Sequence, residues 1–146
     1  MSNVAHAFWP RWYRGIARFD PMLEPWWRRF GAGNVVRVTI PGRRTGEPRS
    51  LFLGILRAGG RRYLGHPDIS CAWTDNLDAA GGGEIEWRDG SREAFTAQLL
   101  GPGPERDAVI RATFTQHPFP GGVLYWLLRG NLRAVGRFYR LSEAPT

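Results

Sequence analysis

Val35-Val36-Arg37-Val38-Thr39-Ile40-Pro41-Gly42-Arg43-Arg44-Thr45-Gly46-Glu47-Pro48-Arg49-Ser50-Leu51-Phe52-Leu53-Gly54-Ile55-Leu56 carries the pattern on which the fold turns. Val35 to Ile40 is short and β-branched, the composition of a strand. Ser50 to Leu56 reads as a second strand. The prolines and glycines between them mark a tight connection. Downstream, Ala58-Gly59-Gly60 predicts a hairpin turn and Arg61 to Gly65 a third strand. Glu84 to Arg88 and Arg92 to Leu100 flank Asp89-Gly90, a strong hairpin signal. Gly136 to Leu141 predicts the last strand. Helices are predicted over Cys71 to Ala79, with Asp68 or Ser70 as N-cap and Gly81-Gly82-Gly83 as the stop. Pro104 to Thr115 follows, with acidic residues in its first turn, and then Val123 to Leu132. About six short strands with few helices predict an α+β, mainly β fold. The expected form is a small antiparallel β-barrel with flanking short helices, because closure removes exposed strand edges.

The barrel pattern occupies residues 34–146. Residues 1–33 differ in character. Trp9, Trp12, Tyr13, Ile16, Phe19, Leu23, Trp26, Trp27 and Phe30 recur at three- and four-residue steps with arginines between them. That is amphipathic helical spacing, interrupted at Asp20-Pro21 and Glu24-Pro25. Two readings stand. The aromatic stripe packs on the domain, or residues 8–30 make a peripheral contact with a membrane surface.

Composition narrows the function. The chain has 146 residues, the size of one domain. Hydrophobic residues make up 42%, which excludes a disordered chain. A single cysteine, Cys71, excludes an internal disulfide framework and a thiolate-clustered metal centre. His6, His66 and His117 are not at metal-ligand spacing, so no metal site is expected. Twenty basic residues against thirteen acidic ones give a net charge of +7, and every basic residue is arginine. The lack of lysine excludes Schiff-base chemistry. Arginine grips phosphate and carboxylate with a flat fork of donors, so the expected partner is anionic. Apolar runs such as Val123 to Leu128 fall far short of the roughly 20 residues that span a bilayer. The N-terminal region lacks a signal-peptide core with a cleavage site, so a cytoplasmic location is expected, with membrane association at the cytoplasmic face as the alternative.

Two stretches can carry chemistry. In Gly42-Arg43-Arg44-Thr45-Gly46 the glycines permit a backbone that turns several N–H groups to one side, an anion-binding concavity. Arg43 and Arg44 add charged forks and Thr45 a hydroxyl. The bland alternative is a solvated hairpin tip. In His66-Pro67-Asp68-Ile69-Ser70-Cys71-Ala72-Trp73 a strand end runs into a helix N-terminus, where free peptide donors face outward. Trp73, Asn76 and Leu77 share one helix face. Leu77 reads as core, and Asn76 as a partner for buried backbone.

Taken in order, these motifs resemble the deazaflavin-dependent nitroreductases, split β-barrel reductases related to the pyridoxamine-phosphate-oxidase fold. Thr39 to Arg49 looks like their Gly-Arg-Lys/Arg-Ser/Thr-Gly-x-x-Arg signature. Gly54 to Arg62, Ala72-Trp73-x-x-Asn76-Leu77-x-Ala79 and Tyr139-Arg140-Leu141 follow in sequence. Ser50 to Leu53 departs from the pattern, lacking a proline common in the family. The resemblance implies a reduced deazaflavin, coenzyme F-420, with flavin mononucleotide (FMN) as the alternative cofactor. It assigns the cofactor's phosphate and acidic tail to Arg43, Arg44, Thr45 and Arg49. It assigns the ring to Cys71, Ala72 and Trp73, with Gly65 and His66 on the same side. The implied reaction is hydride transfer to a quinone, nitro compound or enone, with Tyr125 as the candidate proton donor or positioning group; the favoured reading of Tyr125 is a packed aromatic beside Trp126. Tyr63 and Tyr139 are weaker candidates, and solvent can also supply the proton.

Other function classes give distinct expectations. A non-catalytic barrel that carries flavin, haem or lipid shares the basic turn but performs no turnover. A nucleic-acid binder fits the charge, but the arginines are scattered and no RNA-binding signature is present, so no nucleic-acid partner is expected.

Overall fold

The computed structural model describes residues 34–67, 71–117 and 121–145. The N-terminal segment, residues 1–33, lies outside the described residues, as do Asp68 and Ser70. Seven strands form one antiparallel sheet. They are β1 (Val35–Pro41), β2 (Pro48–Gly54), β3 (Leu56–Ala58), β4 (Arg61–His66), β5 (Gly82–Glu86), β6 (Arg92–Leu99) and β7 (Arg137–Glu143). Four helices accompany them: α1 (Ala72–Ala80), α2 (Pro104–Gln116), α3 (Gly121–Leu127) and α4 (Arg129–Val135).

The strand order is β2-β1-β5-β6-β7-β4-β3. The two edge strands are therefore consecutive in the chain, joined by Ile55 alone. Laid flat, seven strands would hold their edges roughly 29 Å apart, whereas one linking residue spans about 7 Å. The sheet must curl until its edges meet, and a split barrel results.

The sequence predicts six strands, with Ser50 to Leu56 as one. The structure divides that run at Ile55. The Ile55 N–H donates to the carbonyl of Asn34 (2.9 Å), and Asn34 Nδ2 donates to the carbonyl of Ile55 (2.9 Å). Both backbone groups of Ile55 are thus taken by Asn34 at the seam, and the chain crosses from one edge to the other.

Alternation along the strands separates two cores. Val36, Val38 and Ile40 of β1 point inward, with Leu64, Ile85, Phe95, Tyr139 and Leu141. Trp73 and Leu77 of α1 join them, so α1 closes that interior. Leu56, Tyr63 and Phe138 face outward, against Val109 and Ile110 of α2 and Leu132 of α4. Each of these side chains is nearly fully buried, and such burial stabilises by about 1.5–3 kcal/mol per large apolar side chain.

Two further boundaries differ from expectation. Gly81 alone ends α1, while Gly82 and Gly83 begin β5. A Cβ on Gly83 would stand 2.4 Å from the carbonyl oxygen of Thr39, so glycine lets β5 lie close to β1. The single helix expected over Val123 to Leu132 is two, broken at Leu128 (φ −101°, ψ 20°). Its N–H is shared between the carbonyls of Leu124 and Tyr125, each at 3.2 Å. The bend lets Leu132 reach the sheet while Trp126 and Leu127 stay exposed.

Candidate functional site

The β1–β2 turn and α1 meet at one end of the barrel. The turn is closed by its own backbone. The Gly42 N–H donates to the Glu47 carbonyl and the Gly46 N–H to the Gly42 carbonyl, both at 2.8 Å. Gly46 takes φ +76°, which favours glycine. The Glu47 N–H donates to Thr45 Oγ1 at 3.2 Å. The Arg43 N–H donates to Asn76 Oδ1 of α1 at 3.1 Å. The expected backbone concavity is therefore largely consumed inside the fold. An anion here meets guanidinium groups rather than a row of peptide donors.

Asn76 connects the two motifs. Its Oδ1 also accepts from Arg43 Nη1 at 3.0 Å. The buried amide thus holds both the backbone and the side chain of Arg43 against α1. The sequence suggests Asn76 as a partner of buried backbone but gives no sign of the guanidinium bond. A Cβ on Gly42 would stand 3.6 Å from Arg49 Nε, so the Arg49 side chain runs beside the turn. Arg44 and Thr45 are exposed on the same turn.

Charge pairing divides the arginines. Some meet carboxylates: Arg62 with Glu93, Arg137 with Asp78, Arg92 with Glu84, and Arg140 with Glu105. Among the described residues, Arg43, Arg44 and Arg49 have no carboxylate within ion-pair distance. Three exposed forks therefore stand close in sequence with their charge unneutralised.

The second stretch is more buried than expected. Cys71 is the N-cap of α1. Its N–H donates to Thr74 Oγ1 at 2.8 Å, and that hydroxyl donates to the Cys71 carbonyl at 3.0 Å. The first-turn donor at Cys71 is thus spent on the cap. Burial pushes the Cys71 thiol up, although hydrogen bonds from Thr74 and the Trp73 N–H pull the other way. The upward shift favours the thiol over the thiolate. His66 is 1% exposed, with its Nδ1 3.8 Å from Cys71 Sγ and Trp73 edge-on at 5.9 Å. Trp73 is buried, and its Nε1 has no hydrogen-bond partner. Of Cys71, Ala72 and Trp73, only Ala72 is exposed.

Two assigned residues lie elsewhere. Gly65 faces the outer core, opposite Leu64, and a Cβ on it would come within 2.8 Å of the Phe138 ring. Its lack of a side chain seats that ring. Tyr125 also belongs to the outer side, stacked on His117 with ring centroids 4.6 Å apart. The sheet stands between Tyr125 and the interior core that holds Trp73. A cavity of about 10 Å³, room for one water, is lined by Gly65, His66, His117 and Tyr125. His66 thus touches both sides.

Sequence reasoning gave Tyr139 a different role. Its hydroxyl donates to Asp78 Oδ1 at 2.8 Å and accepts from Arg137 Nε at 3.2 Å, while Arg137 Nη2 pairs with Asp78 at 2.7 Å. This network ties α1 to β7, and burial raises the Tyr139 hydroxyl well above its usual range. It stays protonated and structural. Tyr63 likewise donates to Glu105 Oε2 at 2.7 Å. No cluster of three or more metal-ligating side chains occurs among the described residues. No helix among them is long and apolar enough to cross a membrane.

No protein-family model matches the chain, and no curated protein matches it. Solved structures do. Campylobacter jejuni ChuZ superposes with a TM-score of 0.57 at 16% identity, over 87% of this chain and 53% of that one. The chain therefore spans about half the length of ChuZ. HutZ, the heme storage protein from Vibrio cholerae, gives 0.54 at 13% identity, over 88% of this chain and 92% of that one. An F420-H2 dependent reductase, FDR-A, gives 0.54 at 19% identity, over 73% of this chain and 93% of that one. At these identities the likeness shows the fold alone. The split barrel is thus a fold shared with a heme storage protein and with an F420-H2 dependent reductase.

Proposed function

We propose that this protein is a deazaflavin-dependent reductase that holds coenzyme F-420 through its β1–β2 turn. The observation that carries the reading is the set of guanidinium groups on Arg43, Arg44 and Arg49 that have no carboxylate partner among the described residues, with Arg43 fixed to α1 by Asn76. The phosphate and acidic tail of the cofactor supply several negative charges, and a cluster of forks suits them.

The residues fit the two parts of the cofactor unequally. For the tail, the turn offers charge and the Thr45 hydroxyl. For the ring, the cavity beside His66 has room for only about one water. Ala72, exposed at the start of α1, offers the ring an accessible surface near the turn.

When bound, the reduced deazaflavin supplies a hydride to an electron-poor acceptor such as a quinone, nitro compound or enone. The chain's own residues bind and orient. Arg43, Arg44 and Arg49 neutralise the tail, and the Asn76 contact fixes the direction of Arg43. No nucleophile is required of the protein. We assign the proton to solvent, because Tyr125 lies across the sheet and Tyr139 is locked in the Asp78 network.

A haem carrier is the weaker reading. Among the described residues His66 is fully buried, and desolvation pulls His117 down to about 4 inside the outer core. Neither offers an exposed imidazole to an iron.

The test is ligand titration with oxidised F-420, FMN and haem, read by fluorescence and thermal shift. F-420 should bind, with affinity falling more than tenfold in Arg43→Ala/Arg44→Ala, since two charge-assisted contacts contribute a few kcal/mol. An affinity within a factor of two of wild type, or binding of haem in preference, overturns the proposal.

A further inference from the structure

We propose that the exposed face of α3, with the arginines of α4, is a docking surface for an anionic lipid bilayer. Two observations converge on this face, and they stand whether or not the barrel holds a deazaflavin.

The first is apolar exposure. Val123, Trp126 and Leu127 are 50%, 49% and 54% exposed. They follow the i, i+3, i+4 spacing of one helix face. The opposite face is committed to the fold. Gly122 lies against α2, where a Cβ would stand 2.6 Å from the Phe114 carbonyl, and Tyr125 stacks on His117. The helix is therefore seated, and its outer apolar face is turned outward by the structure itself.

The second is charge. Residues 108–142 contain no aspartate or glutamate and five arginines. The carboxylates of α2 sit in its first turn, at Glu105 and Asp107, whereas α3 packs on its last. Arg129 lies over the Trp126 ring at 4.1 Å and donates to the Trp126 carbonyl at 3.0 Å. Arg133 is exposed one helical turn further on. An indole beside a guanidinium, on helices α3 and α4 that carry no carboxylate of their own, suits the boundary between anionic headgroups and acyl chains.

A second copy of the chain is the competing occupant. A two-fold contact that paired α3 with its own equivalent would bring like-charged Arg129 side chains together. Charge complementarity favours lipid.

The experiment is flotation of the full chain with vesicles of phosphatidylcholine and phosphatidylglycerol in equal parts, and with pure phosphatidylcholine. The wild type should partition at least tenfold more strongly into the anionic vesicles. Val123→Ser/Trp126→Ser/Leu127→Ser should lose at least tenfold of that partition. Arg133→Glu should lose fivefold or more, about the factor that one interfacial arginine contributes. Both variants alter exposed residues, and their melting temperatures should match the wild type. Three results overturn the proposal. The wild type stays unbound; or both variants partition within twofold of it, which assigns binding to residues 8–30; or the triple variant turns a dimer into a monomer on size exclusion while flotation is unchanged.

Discussion

Replacing Asn76 with alanine should cost about 2 kcal/mol, and the structure says where that energy resides. Asn76 Oδ1 accepts two hydrogen bonds, one from the Arg43 N–H and one from its guanidinium. Loss of the backbone bond leaves a peptide donor without its acceptor and costs about 1 kcal/mol. The guanidinium bond is charge-assisted, but Arg43 is exposed and water replaces the lost acceptor. Its share is also about 1 kcal/mol, at the low end for charged bonds. The melting temperature should therefore fall by roughly 6 °C, at about 3 °C per kcal/mol for a domain this long. Arg43→Ala is the control. It keeps the backbone bond to Asn76 and should cost only about half as much. Urea unfolding followed by tryptophan fluorescence measures both variants on one scale. Equal costs for the two would show that the backbone bond contributes nothing, and a cost below about 0.5 kcal/mol for Asn76→Ala would refute the tie between turn and helix.

Two further outcomes follow from buried groups. Desolvation pulls His117 down to about 4 from its ordinary 6.5, so the unfolded chain takes up a proton that the folded one refuses. Stability should be unaffected by this group above pH 6.5 and should fall by on the order of 3 kcal/mol as pH drops toward 4. Urea midpoints across that range should show the slope, and His117→Phe should flatten it. Gly83→Ala should cost at least about 2 kcal/mol, because its methyl would stand 2.4 Å from the Thr39 carbonyl and force β5 away from β1. A calorimetric melting temperature within 2 °C of wild type would show that the strands can part without loss.

The barrel was legible where information is local. Val36, Val38 and Ile40 alternate, and Asp89-Gly90 turns one strand into the next, so β1 and the β5–β6 hairpin could be read directly. The seventh strand could not. Leu51 to Leu56 is apolar but for Gly54, which marks an irregularity without showing that the strand ends there. The break depends on Asn34, 21 residues earlier, which captures Ile55 only once the sheet has curled. The division at Leu128 was hidden for the same reason, inside an unbroken apolar run. The site shows the same split between local and distant information. The arginine turn and the Trp73 helix each stand out, yet the bond that joins them spans 33 residues. Gly65 and His66 are neighbours in sequence, but a strand turns successive side chains to opposite faces, so no shared role follows from adjacency.

The arginines show why composition alone could not locate the site. All twenty are the same residue type, and in sequence each is an equal candidate for an anion. The fold sorts them. Arg62 and Arg137 point from their strands at carboxylates on other elements, and those charges are neutralised within the protein. Arg49 stands in the ladder opposite Ile40, next to the hydroxyl pair Thr39 and Ser50, with no carboxylate facing it. Arg43 is given a neutral amide where a carboxylate would have cancelled its charge. An aspartate at position 76 would keep the geometry and hold Arg43 more tightly, but it would remove one unit of positive potential from the turn. Position 76 thus carries a residue that orients a cation without consuming its charge, which is what the proposed anion site needs.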